Sequence, residues 1–365
     1  MVTHNSENER IKRRYFAYVR EAKRLADDSI DAAAAAIHQF EIYTRFKDFR
    51  AFHIEQAVGF KRQLATRLSE KTGRRLSKST AYSTLMALRE MFRWLAGQPG
   101  FRSRLTYTDA EYFNPSDADG AIAKATREGP VPTLEQIRHV LTTMPFHTEV
   151  EARNRAVVAF TLLTGARDRA LASFKLKHVD LQRGCVFQDA REVRTKFSKT
   201  FMTVFFPVGD DVNDIVVQWI KYLTEKKHWG HDDPVFPKTR VTAGETRQFK
   251  ADGLERAHWS NANPIRQIFK SGFTEAGLQY FNPHSFRKTI ALLGQKRCRT
   301  PEEYKAWSQN LGHEDVLTTL RNYGEVALER QFEIIQSLGK PSENDPELND
   351  AFQEFVRKVR AAERA

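Results

Sequence analysis

His284 and Arg287 stand three positions apart in the stretch HSFRK. On a helix that spacing puts both side chains on one face, so an imidazole and a guanidinium could reach the same phosphate. The pair is also what the polar side of an ordinary helix turn looks like. Four further places between 164 and 326 carry related chemistry: Arg167 in TGARDRAL, Lys196 or Lys199 in TKFSK, His313 in LGHEDV and Tyr323 in RNYGEV. Arginine offers a planar fork matched to phosphate oxygens. Two arginines with a histidine could therefore hold the charge that builds on a five-coordinate phosphorus, with no bound metal required. A tyrosine hydroxyl, with an ordinary pKa of about 10, attacks well at neutral pH only where cations or a base favour the phenolate. The chain has no GxxxxGK[ST] loop, in keeping with a covalent ester that retains the energy of the broken bond.

These residues need elements to position them, and the chain is long enough to supply two cores. Its 365 residues are 41% hydrophobic, which argues against disorder. Lys and Arg outnumber Asp and Glu by 58 to 46, a formal charge of +12, the footprint of a protein that binds a polyanion. Apolar runs such as AAAAAI at 32–37 and AVVAF at 156–160 are far too short to span a bilayer, and MVTHNSENERIKRR has no apolar signal core. A cytoplasmic protein facing nucleic acid is expected over one at a membrane. Cys185 and Cys298 are the two cysteines and have no CxxC partner, so neither a disulfide framework nor a zinc cluster is expected.

Along the chain, RIKRRYFAYVREAKRLA (10–26) reads as a basic amphipathic helix that could lie against phosphates. SIDAAAAAIHQFEIYTRF, IEQAVGFKRQLATRL and SKSTAYSTLMALREMFRWLAG follow as helices. Between Gly97 and Pro132, Pro, Gly and Asp recur at short intervals, as in an interdomain connection. Thr133 with Gln136 forms a capping box for the next helix, and RNRAVVAFTLLTG ends one at Gly165. From Gly184 to Pro207 the period becomes two: CVFQ, EVRTK and TFMTVFFP read as short strands with a turn at Phe197 and Ser198. Helices then resume, including VNDIVVQWIKYLTEK, NPIRQIFKSGFTEAG, HSFRK itself, PEEYKAWSQNLG and a final stretch from 325 to 338.

Taken in order, these segments resemble the tyrosine recombinases, the phage-integrase-type site-specific recombinases. TGARDRAL looks like that family's first-arginine motif, KFSK like its β-hairpin lysine, PHSFRKT like its His-x-x-Arg box, and NLGHEDVLTTLRNYG like its Gly-His and nucleophile segment. SKSTAYSTLMALREMFRWLAG is similar to the fourth helix of its core-binding domain. The resemblance implies a mainly α, two-domain chain: a helical SAM-like core-binding domain (1–110), a linker (111–131), a mostly helical catalytic domain with a small antiparallel hairpin (132–340) and a helical tail (341–365), closing as a C-shaped clamp on DNA. It implies that Tyr323 attacks the scissile phosphate to give a 3′-phosphotyrosyl link, with Arg167, His284, Arg287 and His313 around that phosphate and Lys196 protonating the departing 5′ oxygen. No cofactor is implied. The expected partners are double-stranded DNA at a specific recombination site and further copies of the chain, a dimer per site and a tetrameric synapse, serving a mobile element. A type IB topoisomerase-like or hairpin-forming resolvase would use the same five places, and a catalytically inactive DNA-binding accessory protein is the third reading.

The sequence departs from the family pattern at Ala170, where a glutamate usually follows the first arginine by three residues, and at Lys288, where a histidine is common. The spacer from His313 to Tyr323 is one residue longer than usual. For the lysine, the KFSK pattern favours Lys196, while counting back from Pro207 favours Lys199; Lys196 is the choice made from sequence. Tyr280 and Tyr304 read as packing residues with a polar tip. HWGHDD (228–233) reads as a solvated loop and not a metal site. The tail PSENDPELNDAFQEFVRKVRAA has Leu348, Phe352, Phe355 and Val359 on one face. It would pack on its own domain or dock on a neighbouring protomer.

Overall fold

The structure, a computed structural model, describes residues 4–69, 73–125, 129–243, 249–313 and Glu354. Tyr323, the 325–338 stretch and the tail positions named above lie outside the described residues. The chain divides into two units, Met1–Arg127 and Glu128–Ala365.

The first unit is helical: α1 (Ser6–Glu21), α2 (Asp27–Tyr43), α3 (Ile54–Thr66), α4 (Lys78–Ala96), α5 (Tyr107–Glu111) and α6 (Asp117–Lys124). Local chemistry sets several of the starts, because a short polar side chain at the cap accepts a backbone N–H that the helix cannot satisfy. Asn5 does this for α1, Ser77 for α4, Thr106 for α5 and Ser116 for α6. The alanine run carries α2. Part of the stretch expected as a connection, 111–131, is thus the short helix α6, which packs on α4. Phe40 of α2 meets Phe60, Phe92 and Phe113 edge-on at 5.3–5.5 Å between ring centres, the favoured geometry for aromatic rings. Beside them Glu41 is fully buried. Its carboxylate accepts from Asn8 (3.1 Å) and Lys12 (2.7 Å), which supplies the partners that a buried charge needs.

The second unit opens with α7 (Leu134–Thr143) and α8 (Glu149–Thr164), each started by a capping box, Thr133 with Gln136 and Thr148 with Glu151. Every residue of α8 from 156 to 164 is buried, since α7, α10, α11 and α12 surround it. The short α9 (Asp168–Leu171) follows, then three antiparallel strands in the order β1 (Val179–Asp180), β2 (Cys185–Gln188) and β3 (Phe201–Val204). CVFQ and FMTV are strands as expected. EVRTK is not: it lies in the β2–β3 loop, where the Asp189 carbonyl accepts from the N–H groups of both Glu192 and Val193, and a single 3-10 turn spans Lys196–Ser198.

After the sheet come α10 (Asp210–Lys221), which continues into a π-helical turn at Tyr222–Lys226, then α11 (Asn263–Glu275), α12 (Pro283–Arg297) and α13 (Pro301–Asn310). Between α10 and α11 stands a hairpin absent from the sequence reading, β4 (Lys238–Ala243) with β5 (Phe249–Glu255). Arg153 of α8 holds its base, donating to the Pro237 carbonyl (2.8 Å) and to Thr239 (3.0 Å) with its guanidinium over the Trp259 ring. In HWGHDD the carboxylates are committed to cations: Asp232 to Lys175 and Lys177, Asp233 to Arg256. Cys185 is buried in β2 and Cys298 is half-buried at the end of α12. Among the described residues no helix is long and apolar enough to cross a membrane.

Candidate active site

Helix α8 ends where Gly165 adopts the left-handed conformation, φ +61°, which costs glycine little and other residues more. That reversal frees the Gly165 carbonyl and delivers Arg167 as the residue before α9. Helix α12 begins at Asn282, whose side chain caps the Ser285 N–H, with Pro283 at the first helical position. His284 and Arg287 therefore share the first turns of one helix. His284 faces solvent, whereas Arg287 is only 4% exposed.

The burial of Arg287 explains its geometry. Its Nη1 donates to the Gly165 carbonyl at 2.5 Å and its Nη2 to the Leu311 carbonyl at 2.6 Å, so one guanidinium ties the end of α8 to the turn after α13. Nη2 also approaches His313 Nε2 at 3.1 Å. Because arginine can only donate, Nε2 is the acceptor, the imidazole is neutral and its proton is on Nδ1.

The electrostatics report the same convergence. Burial pushes His313 down to about 4, helped by the charges of Arg287, Arg167, His284 and Lys199. His284 is also lowered, first by desolvation and then by Arg287, Arg167 and Lys288, with Asp168 opposing. Burial likewise lowers Arg167. Arg167 just before α9, Lys199 in the β2–β3 loop and Arg287 on α12 thus bring positive charge to the two imidazoles, the field that a phosphodiester needs.

Four of the six residues expected from sequence, Arg167, His284, Arg287 and His313, are brought together. Tyr323 lies outside the described residues. Of the two candidate lysines, Lys199 is half-buried and its charge acts on His313, while Lys196, the choice made from sequence, is exposed in the 3-10 turn. Ser198, at φ +50°, turns the chain between the two. Past that turn the Phe201 ring lies over Gly312, so close that a Cβ there would meet it at 2.6 Å. This contact brings the end of the loop beside His313.

Ala170 is 1% exposed and belongs to the apolar core, so no carboxylate backs the first arginine from that position. Asp168 is the nearby carboxylate. Arg266 of α11 holds it at 2.7 Å, a pairing with no spacing signature in the sequence. Tyr280 is exposed, contrary to the packing role expected of it, and desolvation raises its phenol, away from the phenolate. Tyr304 is half-buried with its hydroxyl enclosed.

Residues 132–330 match the model of the phage integrase family, more than half of the chain. The chain belongs to the phage integrase family. It is a tyrosine recombinase, an enzyme that breaks and rejoins DNA at specific sites. The tyrosine recombinase XerC of Lactobacillus delbrueckii subsp. bulgaricus is 23% identical to it over 259 residues, 68% of this chain and 72% of that one. XerC of Lactobacillus leichmannii is 24% identical over 255 residues, with the same coverage. Two solved structures share the fold at low identity. One is a lambda integrase (75–356) dimer bound to a COC′ core site, with TM-score 0.59 and 11% identity over 93% of this chain and 99% of that one. The other is the XerH site-specific recombinase bound to its difH substrate in a pre-cleavage complex, with TM-score 0.54 and 18% identity over 89% and 83%.

Proposed function

We propose that this phage integrase family member cuts and reseals duplex DNA through a 3′-phosphotyrosyl intermediate on Tyr323, in the service of a mobile element. In the first step Tyr323 gives up its phenol proton to solvent under the pull of the surrounding cations, its oxygen bonds to the scissile phosphorus, the bond to the 5′ oxygen breaks, and that oxygen takes a proton from a lysine ammonium. Attack by a 5′ hydroxyl on the phosphotyrosyl ester reverses the step and releases the tyrosine. Arg167, Arg287 and His284 stabilise the charge on the phosphoryl oxygens, and neutral His313 donates from Nδ1. Lys199 takes the general-acid role expected of Lys196, because its charge acts on the same imidazole as both arginines.

The observation that carries this reading is the single buried guanidinium of Arg287, which joins the α8 end, the turn after α13 and His313 around one point. The relatives add the kind of partner: a lambda integrase dimer on a core site and XerH on difH are both bound to their DNA. The same reading includes a dimer per site, as in the lambda integrase complex, and a tetrameric synapse as the further step. The first prediction tests the chemistry. On a nicked suicide duplex carrying its own site, the wild-type chain forms a covalent protein–DNA band on a denaturing gel and Tyr323→Phe forms none. Absence of the wild-type band, or its persistence in the variant, overturns the mechanism. Relaxation of supercoiled DNA without site preference would instead indicate a topoisomerase-like enzyme.

A further inference from the structure

Strand β3 is the last in the order β1-β2-β3, so among the described residues no strand pairs with its outer edge. At Val204 that edge is filled by a side chain. Asn310, the final residue of α13, accepts from the Val204 N–H at 2.7 Å through Oδ1 and donates to the Val204 carbonyl at 2.8 Å through Nδ2. An antiparallel neighbour closes the same donor and acceptor on one residue, and a side-chain amide, with its donor and acceptor on separate atoms, can reproduce that pairing. The attachment is reinforced on the main chain, since Thr203 Oγ1 donates to the Asn310 carbonyl at 3.1 Å. Thr203 is fully buried and receives Gln188 Nε2 at 3.1 Å, which extends the link to β2. Two residues beyond Asn310, Gly312 lies under the Phe201 ring.

These contacts join two short tethers. Lys199 precedes Phe201 by two residues, and His313 follows Asn310 by three. We infer that Asn310 is a positioning residue which locks β3 to the turn after α13 and so holds Lys199 at the departing 5′ oxygen, at a fixed distance from His313. The inference rests on the general-acid role proposed for Lys199. Both ends of the amide are engaged with the Val204 main chain, so its effect is exerted through the lysine.

The test compares two leaving groups in single-turnover cleavage by the full chain. One substrate carries the normal phosphodiester and the other a 5′-bridging sulfur, whose thiolate departs without needing a proton. Lys199→Ala is expected to be slowed about 100-fold or more on the oxygen ester, the usual range for loss of a general acid, and restored to near the wild-type rate on the sulfur ester. Asn310→Ala is expected to lose about tenfold or more on the oxygen ester, to recover on the sulfur ester, and to add little to the defect of Lys199→Ala in the double variant. A merely structural role would slow both substrates alike. Asn310→Asp, which keeps the acceptor for the Val204 N–H and loses the donor, provides the same readout if the alanine variant does not fold. Rescue of Lys199→Ala without rescue of either Asn310 variant overturns this inference alone. Failure to rescue Lys199→Ala overturns the lysine assignment and the inference with it.

Discussion

His313 is the residue whose behaviour follows most directly from its surroundings. Burial and the neighbouring cations hold it down to about 4 in the folded chain, against an ordinary value of about 6.5. An NMR titration of the free protein should therefore find its ring neutral until well below pH 6. Arg167→Ala, which removes one of those charges, should raise the midpoint, and a bound phosphate, being negative, should raise it too. The sign for stability is fixed by the same numbers. Above about pH 6.5 the ring is neutral whether folded or unfolded and contributes nothing to the pH dependence. As the pH falls from there toward about 4, only the unfolded chain takes up the proton, so the folded state loses stability across that window. Thermal melts over the window should show a shallower acid limb for His313→Gln. At this scale the types and order of Arg167, His284, Arg287 and His313 were legible from the sequence, because each motif stands on a short element whose spacing fixes its face. The choice between Lys196 and Lys199 was not. It depends on the path of a loop through the left-handed Ser198, and a shift of one residue in a strand reverses which side chains face the site.

At the scale of elements, the junction of α8 and α9 is the most exacting piece of the second unit. A Cβ on Gly165 would meet the Leu311 side chain at 2.9 Å in a backbone of φ +61°. The left-handed conformation alone costs a non-glycine residue about 1–2 kcal/mol, so Gly165→Ala should lower the melting temperature by roughly 2–4 °C for each kcal/mol. DNA cleavage should fall further than that loss of stability explains, since the Gly165 carbonyl anchors Arg287; melts and single-turnover cleavage measured together will show it. Helix boundaries set by caps, such as Thr133 with Gln136 and the stop at Gly165, were readable in advance because the chemistry is local. The β4–β5 hairpin was not anticipated, although KTRVTA alternates as a strand should. Its base is held by Arg153 reaching from α8, more than eighty positions away in sequence, and no local pattern announces such a contact. The Asn310 amide on β3 was hidden for the same reason.

For the whole molecule, the net charge of +12 suits a protein that binds DNA. If the phosphates neutralised number about six to ten, raising monovalent salt from about 50 to about 200 mM should weaken duplex binding by about 10³–10⁵-fold. A titration by fluorescence anisotropy measures the slope, and a flat dependence would count against phosphate contacts as the main source of affinity. The existence of two units was legible from composition and from the run of turn residues after Gly97. The helical content of that run was less so, because α5 and α6 are short and owe their place to packing on α4. One feature of the site also bears on how such a chain can change over generations. Arg287 is moored by the peptide carbonyls of positions 165 and 311, groups that every amino acid carries. Mutation at 311 can exchange the side chain without erasing the acceptor, so the arginine stays in register through any apolar replacement that still fills the core where Leu311 is buried, whereas the glycine at 165 is fixed by its own backbone.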